Sequence, residues 1–151
     1  MLADSILLGA GAGLLSTVLM ITFEAPFWSS WGIYGVVEWQ VNQMFVSRLA
    51  GEKYDAGRRL REALAMHLLH GTVAGAFLAA LLSSFYLTSQ PFFWFAGLAF
   101  SILLWLAVPF FLRGWIEGMG GIRFASRGLF VSLLSHIVYG ISLGLLLQAW
   151  L

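Results

Sequence analysis

Four long apolar runs, each free of Asp, Glu, Lys and Arg, constrain the fold of this sequence more than any other feature. They cover residues 5–23, 64–87, 92–112 and 129–151. About 20 such residues cross the roughly 30 Å hydrocarbon core of a bilayer as an α-helix. Only helices and closed barrels satisfy their backbone in lipid, and the two-residue alternation of barrel strands is missing. The sequence therefore predicts four transmembrane helices.

The composition indicates that lipid is the solvent for most of the chain. Of the 151 residues, 60% are hydrophobic and 10% are charged, whereas a soluble domain carries about 25% charged residues. We expect a single transmembrane domain over residues 1–151. The net charge of +1 and the lack of a basic block argue against nucleic acid as a partner. Cysteine is absent, which excludes disulfides and thiolate sites.

The basic residues predict how the chain is oriented in the membrane. Two loops hold all of them: Arg48, Lys53, Arg58, Arg59 and Arg61 in the first, and Arg113, Arg123 and Arg127 in the second. The positive-inside rule places such loops in the cytoplasm. We therefore expect a multi-pass protein of the cell membrane with residues 24–63 and 113–128 in the cytoplasm and both termini outside.

The first loop contains a segment with helical periodicity at about residues 33–50. Its apolar residues fall near one helical face: Ile33, Val37, Val41, Met44, Phe45 and Leu49. Its polar residues fall mostly on the other face: Glu38, Gln40, Asn42, Gln43, Ser47 and Arg48. This pattern predicts an amphipathic helix in the cytoplasmic headgroup plane, with its polar face towards water.

The second and fourth spans share the pattern H-x-x-[HY]-G-x-x-x-G, which begins at His67 and at His136. The first and third spans match more weakly, at residues 13–17 and 97–101. The fold predicted is thus an all-α, four-helix transmembrane bundle of two repeated helical hairpins, plus the interfacial helix. In this arrangement the second and fourth spans are parallel partners, because repeats of two spans keep the same topology.

Small residues four apart mark the expected helix contacts, because they let two backbones approach closely. The glycines predicted to pack helices are Gly9, Gly13, Gly71, Gly75, Gly140 and Gly144. His67 shares a face with the second-span glycines, and His136 shares a face with those of the fourth span. Both histidines are therefore expected to point into the bundle.

Several of these motifs resemble the YagU-like group of small four-span membrane proteins. The resemblance rests on G-x-x-S-T-x-x-M from Gly13, H-x-x-x-G-x-x-x-G from His67, Gly97 with Pro109, and S-H-I-V-Y-G-x-x-x-G from Ser135. It covers most of the chain except the long first loop, and His70 stands where the group has an aromatic residue. The group has no established activity, so the resemblance implies the fold and no function.

Three histidines are the only ionisable residues well inside the predicted spans, and such residues are functional candidates. His67 and His136 could ligate a haem iron axially, and His67, His70 and His136 could together hold a metal ion. Alternatively, they hydrogen-bond within the bundle and serve the fold. No carboxylate lies beside them in sequence, so a histidine–carboxylate pair is not expected. Glu24 is expected to be solvated at a helix end.

No catalytic residue is predicted, and the chain is more readily interpreted as a non-enzyme. The leading hypothesis is a non-catalytic accessory or structural subunit that packs against other membrane subunits or a second copy of itself. One alternative is a redox subunit that binds haem, a pigment or a metal ion through its histidines. The other alternative is a small transporter or channel. The expected surroundings are membrane lipids.

Overall fold

The computed structural model describes residues 2–31, 36–85, 92–120 and 124–151, and within these ranges its regular structure is helical. The helices are α1 (Leu2–Trp31), α2 (Val37–Leu49), α3 (Leu60–Ser84), α4 (Phe93–Leu106), α5 (Arg113–Gly120) and α6 (Ser126–Trp150). The segments Leu2–Ser30, Leu60–Ser84, Phe93–Phe111 and Ser126–Trp150 are long and apolar enough to cross a membrane. The predicted all-α bundle is confirmed, and the four helices support a multi-pass membrane protein.

Helix α1 continues well beyond residue 23, where the sequence predicted its end. It passes through Pro26, whose missing N–H would break a soluble helix. The hydroxyls of Ser29 and Ser30 donate to the Pro26 carbonyl at 2.8 and 3.0 Å, on the C-terminal side of the proline. The extra length of α1 carries Glu24 into the bundle.

The first hairpin is held by close backbone contact between α1 and α3. A Cβ added at Gly75 would lie 2.6 Å from the Gly13 Cα, and one added at Gly71 would lie 3.0 Å from the Thr17 Cβ. These positions leave no space for a larger residue. The glycines of α3 therefore face α1.

The second hairpin repeats these contacts at the corresponding sequence positions of α4 and α6. A Cβ added at Gly97 would lie 2.9 Å from the Gly144 Cα, and one added at Gly140 would lie 2.7 Å from the Ser101 Cβ. The Ser101 hydroxyl also donates to the His136 carbonyl at 2.6 Å. The glycines of α6 therefore face α4.

The two hairpins join mainly through α1 and α6, which pack against each other. The expectation that the second and fourth spans pair directly is wrong, because the glycine faces of α3 and α6 are already occupied by α1 and α4. In the described part of the chain, α3 and α6 are instead bridged by the Tyr139 hydroxyl, which donates to the Gly71 carbonyl at 2.8 Å. This leaves space between α3 and the second hairpin.

Helix α2 forms where the amphipathic pattern predicted it, but its orientation differs from the prediction. Gln40, Asn42, Gln43 and Ser47 are buried, while Leu49 is 77% exposed. The expectation that the polar face meets water is wrong, since α2 packs this face against α3 and α6. Ile33, part of the predicted apolar stripe, lies outside the described residues. Helix α2 therefore brings polar groups to the interior of the bundle.

The third predicted span contains a local change of helix type. Helix α4 passes into a π-helical segment, Ala107–Leu112, that contains Pro109. Proline removes a backbone donor, and insertion of a wider turn is a common way to accommodate such a loss. Pro26 lies in an ordinary α-helix, so the two hairpins differ at this point.

Candidate functional site

Polar side chains from four helices converge where α2 packs against the end of the bundle. Glu24 comes from α1, Glu38 and Asn42 from α2, His67 from α3 and His136 from α6. Helix α2 presents Glu38 and Asn42 on one face because they are four residues apart. This polar cluster is the candidate site, and each member is held by contacts of its own.

Glu24 is fully buried, so the expectation of a solvated helix end is wrong. Its Oε2 accepts a hydrogen bond from the Trp39 indole nitrogen at 2.9 Å. Trp39 in turn packs edge-to-face on Trp28, with ring centroids 4.2 Å apart, and lies 5.9 Å from the His67 ring. The other oxygen of Glu24 is buried with no hydrogen-bond partner in the described residues.

Glu38 forms the histidine–carboxylate pair that the sequence did not predict. Its Oε1 accepts a hydrogen bond from the Ser132 hydroxyl and lies 3.3 Å from Nδ1 of His136. That Nδ1 is also 2.9 Å from the Ser132 carbonyl oxygen. Both neighbours are acceptors, so the hydrogen of the His136 ring lies on Nδ1. A carboxylate in this position fixes the orientation of the imidazole.

Asn42 contacts His67 from the next turn of α2, but here the residue of α2 is the hydrogen-bond donor. The Asn42 Nδ2 lies 3.0 Å from Nδ1 of His67, whose side chain is 7% exposed. The Nε2 atom of this ring is buried with no hydrogen-bond partner among the described residues. Buried polar atoms are nearly always hydrogen-bonded, so an unpaired one requires an explanation.

A cavity of about 620 Å³ lies against this cluster, within the range of ligand pockets. Its polar lining includes Glu38, Asn42, His67, Ser132, His136 and Tyr139. Its apolar lining includes Met20, Val73, Phe77, Phe100, Leu104, Trp105 and Val108. The apolar groups form most of the wall, and a few polar groups lie where α2 closes one end.

The cavity follows α3 and opens between the two hairpins. From His67 to Phe77 the helix rises by roughly 15 Å, and the Phe77 ring stacks on Phe100 of α4 at 6.1 Å. Leu69 and Val73 line the cavity and are more than half exposed. They belong to the apolar outer surface of α3, which is expected to face lipid. The opening therefore faces the hydrocarbon of a bilayer.

The cavity wall includes all three histidines singled out from the sequence. His67 is buried, His136 is partly buried, and His70 is exposed one turn further along α3. Within the described ranges, no group of three or more His, Cys, Asp and Glu residues could hold a metal ion. The three-histidine metal site and the axial haem ligation by His67 and His136 stay predictions.

No family model, curated protein or solved structure matches this chain. The resemblance to the YagU-like group therefore stays a prediction. The cavity and the polar cluster at its end are the features of the molecule that bear on its function.

Proposed function

We propose that this protein is a non-catalytic membrane protein that binds a small amphipathic molecule between its two hairpins. The observation that carries the proposal is Nε2 of His67, which is buried without a hydrogen-bond partner among the described residues at the polar end of an apolar cavity. A bound polar head would supply the missing partner, and an apolar tail would fill the rest of the space.

The energetics of the unpaired atom support a ligand. Leaving a buried polar group without a hydrogen bond costs about 1–3 kcal/mol. One oxygen of Glu38 is likewise buried with no partner within the described ranges, so the cost arises more than once at this end of the cavity. A ligand that satisfies these atoms regains that free energy and adds the burial of its own apolar surface.

The position of the opening supports a ligand that is dissolved in lipid. Phe77, which lines the cavity, is 56% exposed, and Val73 one turn before it is 58% exposed. A molecule that is already in the bilayer could enter between α3 and α4 without crossing water. Such a protein would act as a carrier or as a ligand-bearing subunit.

The accessory-subunit hypothesis loses one of its arguments but stays open. It rested on glycine faces available to a partner, and those glycines pack α1 on α3 and α6 on α4. A partner surface would have to lie elsewhere. The transporter hypothesis also stays a prediction, since the cavity geometry bears on binding and not on passage through the bundle.

A haem or another pigment is the second candidate, favoured by the way His136 is held. Its Nδ1 lies against two acceptors, the Ser132 carbonyl and Glu38, whereas Nδ1 of His67 lies against the donor Asn42 Nδ2. Ligating histidines usually donate from their second nitrogen as His136 does, which leaves the other nitrogen for the metal. An absorption spectrum of the purified protein, with elemental analysis, separates a pigment from a colourless amphipath.

The proposal is tested by purifying the protein in a mild detergent and identifying co-purifying small molecules by organic extraction and mass spectrometry. We expect one species in roughly equal amount to the protein, and its loss in His67→Leu. Thr22→Leu is the control, because it also replaces a polar residue by leucine, at an exposed position of α1 that does not line the cavity. Equal recovery of that species from the two variants, or no such species in the unmodified protein, would contradict the proposal.

We also infer that the chain consists of two repeated hairpins. The support is the equivalence of their contacts, since Gly13 approaches Gly75 as Gly97 approaches Gly144. The repeat predicts that Gly13→Ala and Gly97→Ala lower stability by similar amounts. Thermal unfolding of the two variants in the same detergent tests this, and a large effect at one site alone would contradict it.

We further propose that both termini lie outside and the two basic loops lie in the cytoplasm. The support is the restriction of all eight Lys and Arg residues to those loops. Because the chain has no cysteine, single cysteines are clean probes. A membrane-impermeant maleimide should label Ala3→Cys and Ala149→Cys in intact cells but should label Lys53→Cys only after lysis. The reverse pattern would refute this orientation.

A further inference from the structure

We infer that the ligand of this cavity is a neutral single-tailed amphipath whose polar head is a hydroxyl group. This inference rests on the proposed function and names the chemical class that the site would select. It follows from the atoms of His67 and Glu38 that have no hydrogen-bond partner among the described residues, the charges in the wall and the shape of the apolar part.

The first requirement comes from His67. When the Asn42 amide nitrogen donates to Nδ1, the neutral ring carries its hydrogen on Nε2. This N–H is buried without an acceptor in the described part of the bundle. The head of the ligand therefore has to accept a hydrogen bond.

The second requirement comes from Glu38. Its Oε1 is already occupied by Ser132 and His136, whereas its Oε2 is buried without a partner among the residues described. A carboxylate oxygen accepts hydrogen bonds and does not donate them. The head of the ligand therefore also has to donate. A hydroxyl group is the smallest head that accepts and donates at once.

The charges of the wall exclude the commonest alternatives. No Lys or Arg is among the described residues that line the cavity, and Glu38 is one of them. A carboxylate or phosphate head would be buried beside a like charge with no cation to pair with, which is strongly unfavourable. An ammonium head could donate to Glu38, but it has no lone pair to accept from His67.

The apolar part of the cavity favours one extended tail. It runs roughly 15 Å along α3 from His67 to Phe77, and the stacked rings of Phe77 and Phe100 lie across its far part. Leu104 and Trp105 line the wall on the α4 side, and the Trp105 indole N–H, buried without a partner in the described part of the chain, is a second donor that the head of the ligand can satisfy. A single alkyl or isoprenoid chain fits such an elongated space and buries its surface against these side chains.

A matched series of probes tests the inference on the unmodified protein in lipid nanodiscs. Dodecanol, dodecylamine, dodecanoate and dodecane share one tail and differ only in the head. We expect dodecanol to bind at least about tenfold more tightly than the others, because each of the others leaves a buried polar group unpaired or adds a charge. Binding is measured from the rise in thermal unfolding temperature with probe concentration.

The outcomes distinguish the inference from the proposed function. Dodecane binding as tightly as dodecanol, or tighter binding of the amine or the carboxylate, overturns the hydroxyl head and leaves a lipid-soluble ligand in place. Binding of none of the four probes overturns both. In His67→Leu the preference for dodecanol over dodecane should disappear, whereas Thr22→Leu, at an exposed position of α1 that does not line the cavity, should retain it. A retained preference in His67→Leu overturns the assigned role of His67.

Discussion

The close approach of α1 and α3 allows a quantitative test with a single methyl group. In Gly75→Ala the new Cβ would lie 2.6 Å from the Gly13 Cα and 2.8 Å from the Gly13 nitrogen. Ordinary contacts of this kind begin at 3.4 Å. Because both neighbours are backbone atoms, no side chain can rotate away, and the two helices have to separate by about 1 Å in a closely packed region.

The matched control is Gly11→Ala in α1, whose Cβ would lie 3.5 Å from a Trp150 ring atom. Both variants gain the same improvement in helix propensity, up to about 1 kcal/mol, so this term cancels between them. The remaining difference is the cost of overpacking, about 1–3 kcal/mol. We therefore expect Gly75→Ala to be less stable than Gly11→Ala by that amount.

The assay is reversible unfolding in mixed detergent micelles, followed by tryptophan fluorescence as the denaturing detergent is titrated. The two variants and the unmodified protein are measured at one protein concentration, so that association does not enter. Equal unfolding free energies for Gly75→Ala and Gly11→Ala, within about 0.5 kcal/mol, would refute the backbone contact between α1 and α3. A higher unfolding free energy for Gly75→Ala than for Gly11→Ala would refute this backbone contact more strongly.

Three further predictions concern single polar contacts. Tyr139→Phe removes the hydroxyl that donates to Gly71 at 2.8 Å, and it should lower the unfolding free energy by about 0.6–1.7 kcal/mol in the same titration. Glu38→Ala should lower the unfolding free energy by about 1–3 kcal/mol, because buried donors lose their acceptor. Glu38→Gln keeps one acceptor oxygen and should lower it less, and equal losses in the two variants would contradict this. The hydrogen bond from Arg59 lowers the pKa of Glu52 below its usual 4.5, so the ion pair contributes above pH 4.5 and is lost as the pH falls through the lowered value. The protection factors of the amides in residues 50–59, which are corrected for the intrinsic effect of pH on exchange, should then fall with acid, and Arg59→Gln should weaken this pH dependence.

The sequence predicted the spans well because their signal is local. The apolar composition of residues 64–87 and 129–151 predicts two spans. The structure has helices at Leu60–Ser84 and Ser126–Trp150, within a few residues of those bounds. The end of α1 was predicted too early because Glu24 and Pro26 together look like a helix terminus. In this bundle Glu24 is buried and Trp39 donates to one of its oxygens, so the rule for an exposed helix end does not apply.

The candidate site was only half predictable, because its contacts join distant parts of the chain. The pattern identified His67 and His136 as interior residues. It did not identify Glu38, since His136 lies in the last helix and nothing near it in sequence is acidic. The polar face of α2 was assigned to water by its periodicity, which reports that one face is polar but not what covers that face. One signal in the sequence pointed to the site. Glu38 and Asn42 are four residues apart and so share a helix face, and a polar face is conspicuous in a chain with so few charged residues.

The inward-facing polar side of α2 has a consequence for how the protein is made. Asn42 finds His67 in the next helix, but the partners of Glu38, Ser132 and His136, are in the last helix. A chain emerging from the ribosome presents α2 long before α6 exists. Until α6 enters the membrane, Ser132 and His136 are not available to Glu38, and a buried carboxylate without partners is unfavourable. We therefore expect α2 to wait at the water boundary and to dock only after α6 has been inserted.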